Sequence, residues 1–251
     1  MTAGTSRPLW IGAVEWSALL GFVTLWLVLA ARLAQSGPGG DLWLLPVAFA
    51  LGFLAGDFFS GLVHWFCDSV FEEETPLIGP LLIHPFRDHH RDPLAMTRHA
   101  FVEITGNSCL ALAPLLAITG WLLPAPGAGA PVARLALATI LAFSFATFWV
   151  NQVHKWAHMP VPPDAVARLQ RGGLILAPRR HALHHRRGGR AYCVLTGWMN
   201  RPLDAIGFFA GVERAMALAG FRWFSRGREW DGLPAPEELK SSGGTARGRG
   251  R

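Results

Sequence analysis

The chain has 251 residues, of which 51% are hydrophobic, and it contains 11 Trp and 16 Phe beside a single Tyr. This composition is too apolar for an ordinary soluble domain of that length and predicts a membrane protein. The formal net charge of +6 then predicts a basic surface that faces anionic lipid headgroups, and no nucleic-acid partner is expected. The three cysteines form no motif and predict no disulfide framework.

Four apolar segments are long enough, or nearly so, to cross a bilayer as helices, which takes roughly 20 residues. They are Trp10–Ala31, Trp43–Phe66, Ser108–Pro124 and Ala133–Val150. The first is longer than the core of a secretory signal, which favours a retained span. The sequence therefore predicts an all-α integral membrane protein with about four transmembrane helices.

Basic residues are distributed unevenly about these spans. Of the 23 Lys and Arg, 17 lie from Lys155 onward, and three more lie in the segment 67–107. With four spans, these segments and the N-terminus share one side of the membrane, and the positive-inside rule makes that side cytoplasmic. Short interfacial helices are expected there: one in the 67–107 segment, one in "MPVPPDAVARLQRGG" with Val166 and Leu169 on one face, and one in "RPLDAIGFFAGVERAMALAGF".

All ten histidines lie between residues 64 and 185, and the predicted topology places every one at the cytoplasmic mouth of the helices. They are His64 at the end of the second span, His84, His89, His90 and His99 in the loop, His154 and His158 after the fourth span, and His181, His184 and His185 in "HALHH". Other polar residues recur beside them at helical spacing: Asp57 and Asp68 with His64, Glu103 and Asn107 with His99, and Asn151 with His154 and His158. Ionisable groups so near hydrocarbon normally mark a functional interior.

The accumulation of imidazoles predicts a metal site, because neutral imidazole suits Fe, Zn and Cu. A catalytic zinc ion needs three protein ligands and a water, so that a cluster of most of the ten histidines favours two metal ions. Two irons held mainly by histidine can reduce dioxygen and remove hydrogen from an unactivated carbon. Soluble di-iron bundles use Glu-x-x-His pairs instead, and this sequence contains none.

Unrelated structural roles are the alternative to a shared metal site. His84 lies beside Pro85 and is expected to be structural or exposed, and His64 alone would suit a helix interface. Asn151 would serve as a packing amide and Asp57 as a partner for a neighbouring helix, while "HALHH" would form a polar surface turn. The common depth of the histidines and their pairs at ligand spacing favour the shared site.

Five stretches resemble, in order, those of the Kua family of membrane lipid desaturases. They are "GDFFSGLVHWFCD", "PFRDHHRDPLAMTRHAFVEITGN", "NQVHKWAHMP", "HALHH" and "YCVLTGWMNRPLD", which together cover roughly Ala55 to Val212. The resemblance implies a lipid desaturase domain over 43–230, preceded by an N-terminal span and connector over 1–42. The Gly-, Ser- and Arg-rich segment 231–251 is expected to be a disordered basic tail.

The resemblance also implies the residues of the catalytic metal centre. The implied ligands are His64, His89, His90, His99, His154, His158, His181, His184 and His185, with Asp68 as a further ligand or as a hydrogen-bond acceptor beside them. Asp57, Glu103, Asn107 and Asn151 are implied to orient imidazoles through their free N–H groups. His84 is not expected to bind metal.

The activity implied by the resemblance is a di-iron, oxygen-dependent dehydrogenation of a phospholipid chain near its headgroup. The reaction expected first is conversion of a plasmanyl (alkyl ether) to a plasmenyl (vinyl ether) phospholipid, as in plasmalogen synthesis. Electrons must come from outside, because the sequence has no flavin, haem or dinucleotide motif. A cytochrome b5-like or ferredoxin-like donor on the cytoplasmic face is therefore expected.

Other functions stay open at this point. Desaturation of an ester-linked acyl chain and hydroxylation need the same oxidant, so that the shape of the pocket decides between them. A haem protein or a metal transporter would place its ligands inside the spans or near the midplane. A membrane zinc protease would need a His-Glu-x-x-His motif, which is absent.

Overall fold

The computed structural model describes residues 9–35, 42–123 and 130–221, except for the side chains of Leu81 and Arg187. These residues form helices and connecting loops, with no β-strand among them. The helices are α1 (Leu9–Gln35), α2 (Leu44–Ser69), α3 (His84–Arg91), α4 (Ala95–Arg98), α5 (Phe101–Leu122), α6 (Pro131–His158), α7 (Asp164–Arg171), α8 (Pro178–Arg187), α9 (Asn200–Ala205) and α10 (Phe208–Leu218). A π-helical segment, Gly79–Ile83, leads into α3.

Four of these helices, α1, α2, α5 and α6, are long and apolar enough to cross a membrane. The predicted all-α fold with four spanning helices is confirmed. All four spans extend beyond their predicted limits, most of all α5, which begins at Phe101 rather than Ser108, and α6, which continues past Val150 to His158. The helices therefore carry polar residues at one end, outside the apolar segments that identified them.

Exposed tryptophans lie near both ends of the helical bundle. Trp10 and Trp16 lie near the start of α1, whereas Trp121 lies at the end of α5 and Trp43 lies just before α2. Tryptophan is enriched where a membrane protein meets the two headgroup layers. This placement agrees with four helices that cross a bilayer.

Small residues allow α2 and α6 to pack closely. A Cβ atom added to Gly52 would lie 2.5 Å from the Ala142 Cβ atom, and one added to Gly56 would lie 2.8 Å from the Ala146 Cβ atom. Close backbone approach through small residues is the usual way in which helices associate in membranes. The contact brings the last turns of α2 and α6 together at the histidine-bearing end of the bundle.

The second close pair is α1 with α5, and α5 also contacts α6. A buried cluster that includes Phe22, Leu112, Leu116 and Leu141 joins α1, α5 and α6. Near the start of α1, a Cβ atom added to Gly106 would lie 2.8 Å from the Cγ atom of Glu15. Gly106 therefore lets α1 approach α5 at the level of this buried carboxylate.

The short helices gather at the ends of α2 and α6: α3 contacts α2, and both α4 and α8 contact α6. On α7, Val166 is buried, but Leu169, which was predicted to share its face, is 41% exposed, and Gln170 is buried. The Gln170 side chain donates a hydrogen bond to the Leu176 carbonyl at 3.2 Å. The second predicted amphipathic helix divides into α9 and α10 at Gly207, whose φ of 62° suits glycine. The predicted tail, 231–251, lies outside the described residues.

Candidate metal centre

Eight of the predicted histidines and Asp68 come together at the end of the bundle in two adjacent groups, each with ligand atoms within 4.8 Å of one another. The five-histidine group consists of His89, His154, His158, His181 and His185, and the Asp68 group consists of His64, Asp68, His90 and His184. The ring centroids of His89 and His90, which belong to different groups, lie 4.3 Å apart. The two groups are therefore halves of one centre.

Neighbouring histidines in the sequence belong to different groups. His89 joins one group and His90 the other, and the same division separates His185 from His184. Both pairs lie on helices, α3 and α8, in which successive side chains point about 100° apart. Each His-His pair therefore contributes one imidazole to each half of the centre.

Short distances connect the Nε2 atoms of the five-histidine group. His181 Nε2 lies 2.9 Å from the Nε2 atoms of His154, His158 and His185. The Nε2 atoms of His154 and His158, one turn apart on α6, lie 3.3 Å apart. Four imidazoles from α6 and α8 therefore direct the same ring nitrogen at one point.

Asp68 is at the centre of the other group. Its Oδ2 atom lies 3.2 Å from the Nε2 atoms of His90 and His184 and 3.4 Å from that of His64. The side chains of His64, Asp68 and His184 are buried. One carboxylate oxygen and three imidazole nitrogens from α2, α3 and α8 therefore converge in a dry environment.

These donor atoms have the spacing that a shared metal ion requires. Two ligand atoms about 2.1 Å from an ion and at right angles to each other lie about 3.0 Å apart, and the distances above are near that value. His89 Nε2 and Asp68 Oδ1 are buried without a hydrogen-bond partner among the described residues. Buried polar atoms without partners are costly in a protein. A metal ion in each group would satisfy both the spacing and these atoms.

Burial keeps three imidazoles outside the spanning helices neutral, those of His89, His181 and His185. It lowers the pKa of His89 and His181 well below the ordinary value, and the neighbouring imidazoles lower them further. Burial, followed by repulsion from His90, lowers the pKa of His185 to about 2. A neutral imidazole is the form that binds a metal ion. These residues are therefore in the ligand state at physiological pH.

Two backbone carbonyls orient imidazoles of the Asp68 group. The Nδ1 atom of His64 donates to the Tyr192 carbonyl at 3.1 Å, and that of His184 donates to the Arg190 carbonyl at 2.9 Å. Because a carbonyl only accepts, each Nδ1 carries the proton and each Nε2 is free to face the group. The sequence did not indicate these contacts, since any residue type supplies a carbonyl.

Asp57 is completely buried on α2, and its carboxylate accepts hydrogen bonds from the backbone of the loop that precedes α9. Its Oδ1 atom accepts the backbone N–H groups of Thr196 and Gly197 at 2.8 and 2.9 Å, and its Oδ2 atom accepts that of Met199 at 2.9 Å. The sequence predicted that Asp57 orients an imidazole. In the structure its oxygens instead join α2 to the segment that follows the Tyr192 and Arg190 carbonyls.

The other predicted orienting residues lie beside the five-histidine group. Glu103 accepts the Ala100 N–H at 2.8 Å and contacts His99 Nδ1 at 3.2 Å. His99, a predicted ligand, is 57% exposed and lies in neither group. The Asn151 amide donates to the Ile104 carbonyl at 2.7 Å, which joins α6 to α5. Asn107 lines the cavity described below.

His84, which was not expected to bind metal, lies outside both groups. Its Nδ1 atom is 2.6 Å from Glu73 Oε2, and its side chain is 54% exposed. Glu73 also pairs with Arg91 at the end of α3. His84 thus belongs to a surface ion-pair network that anchors the helix carrying His89 and His90.

A cavity of about 310 Å³ opens beside the five-histidine group. It is lined by Glu15, Pro85, Phe86, Asp88, His89, Ala95, Met96, His99, Glu103, Ile104, Asn107, Asn151 and His154. Glu15 is only 6% exposed, although it lies on a spanning helix. The sequence analysis missed this residue, and the available signal was a single carboxylate within an apolar segment.

Together, the fold and the site define a multi-pass membrane protein with histidine clusters able to hold metal ions. Residues 53–222 match the model of the lipid desaturase domain family. The chain belongs to this family, which makes it an oxidoreductase and confirms the resemblance identified in the sequence.

Similar curated proteins include desaturases from bacteria, animals and plants. Plasmanylethanolamine desaturase of Myxococcus xanthus is 44% identical over 210 residues, which cover 83% of this chain and 73% of that protein. Plasmanylethanolamine desaturase 1 of Mus musculus is 38% identical over 68% of this chain and 64% of its own length. Chloroplastic fatty acid desaturase 4 of Arabidopsis thaliana is 33% identical over 90% of this chain and 65% of its own length. No solved structure matches the chain.

Proposed function

We propose that this protein is an oxygen-dependent di-iron desaturase that converts plasmanyl to plasmenyl phospholipid. The observation that carries the proposal is the pair of imidazole-rich groups, His89 with its four partners and Asp68 with its three, at the mouth of four membrane-spanning helices. A centre in this position can reach the first carbons of a lipid chain. The names of the bacterial and mouse relatives support an ethanolamine phospholipid with an alkyl ether chain.

The residues of the two groups would hold one iron ion each. Histidine nitrogen is a suitable ligand for iron, and Asp68 would add one carboxylate to the second ion. Bound iron supplies the activation of dioxygen that removal of hydrogen from an unactivated carbon requires. The protein's own part is to keep the ligands away from water and to place the lipid beside them.

The overall reaction sets the requirement for an electron donor. Two hydrogens leave adjacent carbons of the alkyl ether chain, while one O2, two electrons and two protons complete the formation of two water molecules. A cytochrome b5-like or ferredoxin-like protein would supply the two electrons. Exposed arginines on α7 and α8 support docking of an acidic donor beside the metal centre: Arg168, Arg171, Arg179, Arg180 and Arg186. The excess of Lys and Arg on this face supports a cytoplasmic orientation under the positive-inside rule.

A second candidate is desaturation of an ester-linked acyl chain by the same centre. The Arabidopsis relative is named a fatty acid desaturase, and its similarity covers more of this chain than that of the mouse protein does. An ester and an ether chain start from the same position on glycerol, so that a metal centre near the headgroup would reach either.

Lipid mass spectrometry tests both candidates. Cells that lack plasmalogens would receive alkyl-ether lipid and express either the wild-type chain or His184→Ala. Ether lipids that are two hydrogens lighter and labile to acid, formed only by the wild type, are the expected result. Loss of two hydrogens from an ester-linked chain alone would support the second candidate instead. No change in any lipid, in the presence of both donor classes and with iron bound, would contradict the proposal.

A further inference from the structure

The cavity beside the five-histidine group contacts only one half of the metal centre. His89 and His154 line it, whereas the four residues of the Asp68 group do not. One ring nitrogen of each of these two histidines, Nε2 of His89 and Nδ1 of His154, is buried without a hydrogen-bond partner among the described residues. The cavity therefore borders the five-histidine half of the centre through His89 and His154.

Half of the six other polar residues that line the cavity are acidic. Glu15 on α1, Asp88 on α3 and Glu103 on α5 contribute carboxylates from three separate helices, and none of the described residues that line it is Lys or Arg. Such a wall attracts a cation. The charge of the cavity thus complements an ammonium group.

Glu15 has the position that a headgroup contact requires. It lies six residues from the start of α1, which corresponds to about 9 Å along the helix. The exposed Trp10 and Trp16 lie on either side of it in the sequence, and tryptophan side chains prefer the headgroup layer. Its contact with Gly106 holds the side chain between α1 and α5. A buried carboxylate near the hydrocarbon is costly and normally functional.

The size of the cavity limits what it can contain. A volume of about 310 Å³ is at the lower end of the range of small-molecule pockets, which is about 300–1,000 Å³. This space accommodates the polar end of a lipid and its first carbons, while the rest of both chains stays in the bilayer. The metal centre would then meet carbons next to the glycerol.

We propose that the cavity binds the headgroup end of the lipid substrate and that Glu15 determines specificity by pairing with a primary ammonium group. This inference rests on the proposed function, and it adds a selecting residue from a helix outside the matched family region, 53–222. The reacting carbons would face the five-histidine group. A headgroup without an ammonium group would not form this ion pair.

Binding without turnover provides the test. The iron-loaded full chain in detergent, without oxygen, would be titrated with 1-alkyl lysophospholipids that carry the same chain and either an ethanolamine or a glycerol headgroup. We expect the wild type to bind the ethanolamine lipid at least tenfold more tightly and Glu15→Gln to reduce this ratio toward one. The matched control is Glu74→Gln, which alters an exposed acidic residue outside the cavity and should keep the wild-type ratio.

Several outcomes would overturn the inference. One is a wild type without headgroup preference, and another is a Glu15→Gln protein that keeps the preference. An equal loss of affinity for both lipids would also do so, since it would indicate a general structural role. Iron content and thermal midpoint verify that the variant is folded. If Glu15→Gln does not fold, Glu15→Asp keeps the charge one methylene shorter and should bind the ethanolamine lipid more weakly but still preferentially.

Turnover separates this inference from the proposed function. If the wild type shows the headgroup preference but desaturates no lipid, the proposed function fails and the headgroup site stands. If it desaturates ether lipids and Glu15→Gln leaves the ratio of KM values for the two headgroups unchanged, the proposed function stands and the headgroup site fails.

Discussion

The two halves of the metal centre lie side by side but differ in composition. The five-histidine group offers imidazoles only, whereas the Asp68 group combines three imidazoles with a carboxylate. A divalent ion would keep its full double charge in the first group, and the carboxylate would neutralise part of that charge in the second. Two ions of one element would therefore have different electronic environments in a single centre.

Their surroundings differ as well. In the Asp68 group, the carbonyls of Tyr192 and Arg190 hold His64 and His184 in place. The five-histidine group instead contributes His89 and His154 to the wall of a cavity. Backbone carbonyls thus hold two imidazoles of the Asp68 group, whereas the five-histidine group borders the cavity that we propose to bind the substrate.

Removal of one imidazole from either half should have the largest effect. We expect His154→Ala and His184→Ala each to abolish lipid desaturation, because a ligand is lost and a cavity forms in a buried site. His84→Ala, which alters an exposed histidine outside both groups, should retain activity. Lipid mass spectrometry of cells that express each variant measures the effect, and an active His184→Ala enzyme would exclude that residue as a required ligand.

Asp68→Asn tests whether the two halves load independently. The substitution preserves shape but removes the charge that three imidazoles surround. If each group holds one iron ion, as proposed, the iron content should fall from two ions per chain toward one, with loss of activity, because the five-histidine group does not include Asp68. Metal analysis and iron spectroscopy of the purified protein measure this. Two tightly bound ions in Asp68→Asn would show that the carboxylate is not a ligand.

Asp57→Ala should weaken metal binding by the Asp68 group indirectly. It removes the acceptor of three backbone N–H groups, and a hydrogen bond to a charged group contributes about 1.5–3 kcal/mol. We expect a thermal midpoint several degrees lower and loss of iron from the Asp68 group before the other. Asp57→Asn keeps an acceptor oxygen and should show a smaller effect. An unchanged midpoint in Asp57→Ala would contradict this role.

Glu73→Gln should have the smallest effect, since it alters a surface network that anchors α3. Hydrogen bonds from Arg91, followed by that from His84, lower the pKa of Glu73 to about 2. Its ionised form therefore stabilises the fold fully above its ordinary pKa of 4.5, and this contribution is lost as the pH falls toward about 2. Surface ion pairs contribute up to about 1 kcal/mol.

Thermal unfolding at several pH values measures the Glu73 contribution. We expect Glu73→Gln to unfold slightly below the wild type at pH 7, and the difference between the two midpoints should shrink as the pH falls below 4.5. A difference that grew toward acidic pH would have the wrong sign for a carboxylate with a lowered pKa.

Much of this architecture could be predicted from the sequence, because the signals are local. Apolar length predicted the four spans, and the common depth of the histidines predicted that they meet at one end. The helical spacing of His154 and His158 predicted one face, which the structure places in the five-histidine group. These inferences need only the pitch of a helix and the thickness of a bilayer.

Tertiary structure decided which histidine joins which half. The rotation of about 100° per residue separates neighbours such as His89 and His90, but only the packing of α3 against α2 determines which one meets Asp68. Packing likewise leaves His99 at the surface, turns Asp57 toward backbone amides and brings Glu15 from α1 into the cavity. These placements depend on how residues far apart in the chain pack together. The spacing of residues within one helix does not determine how two helices meet.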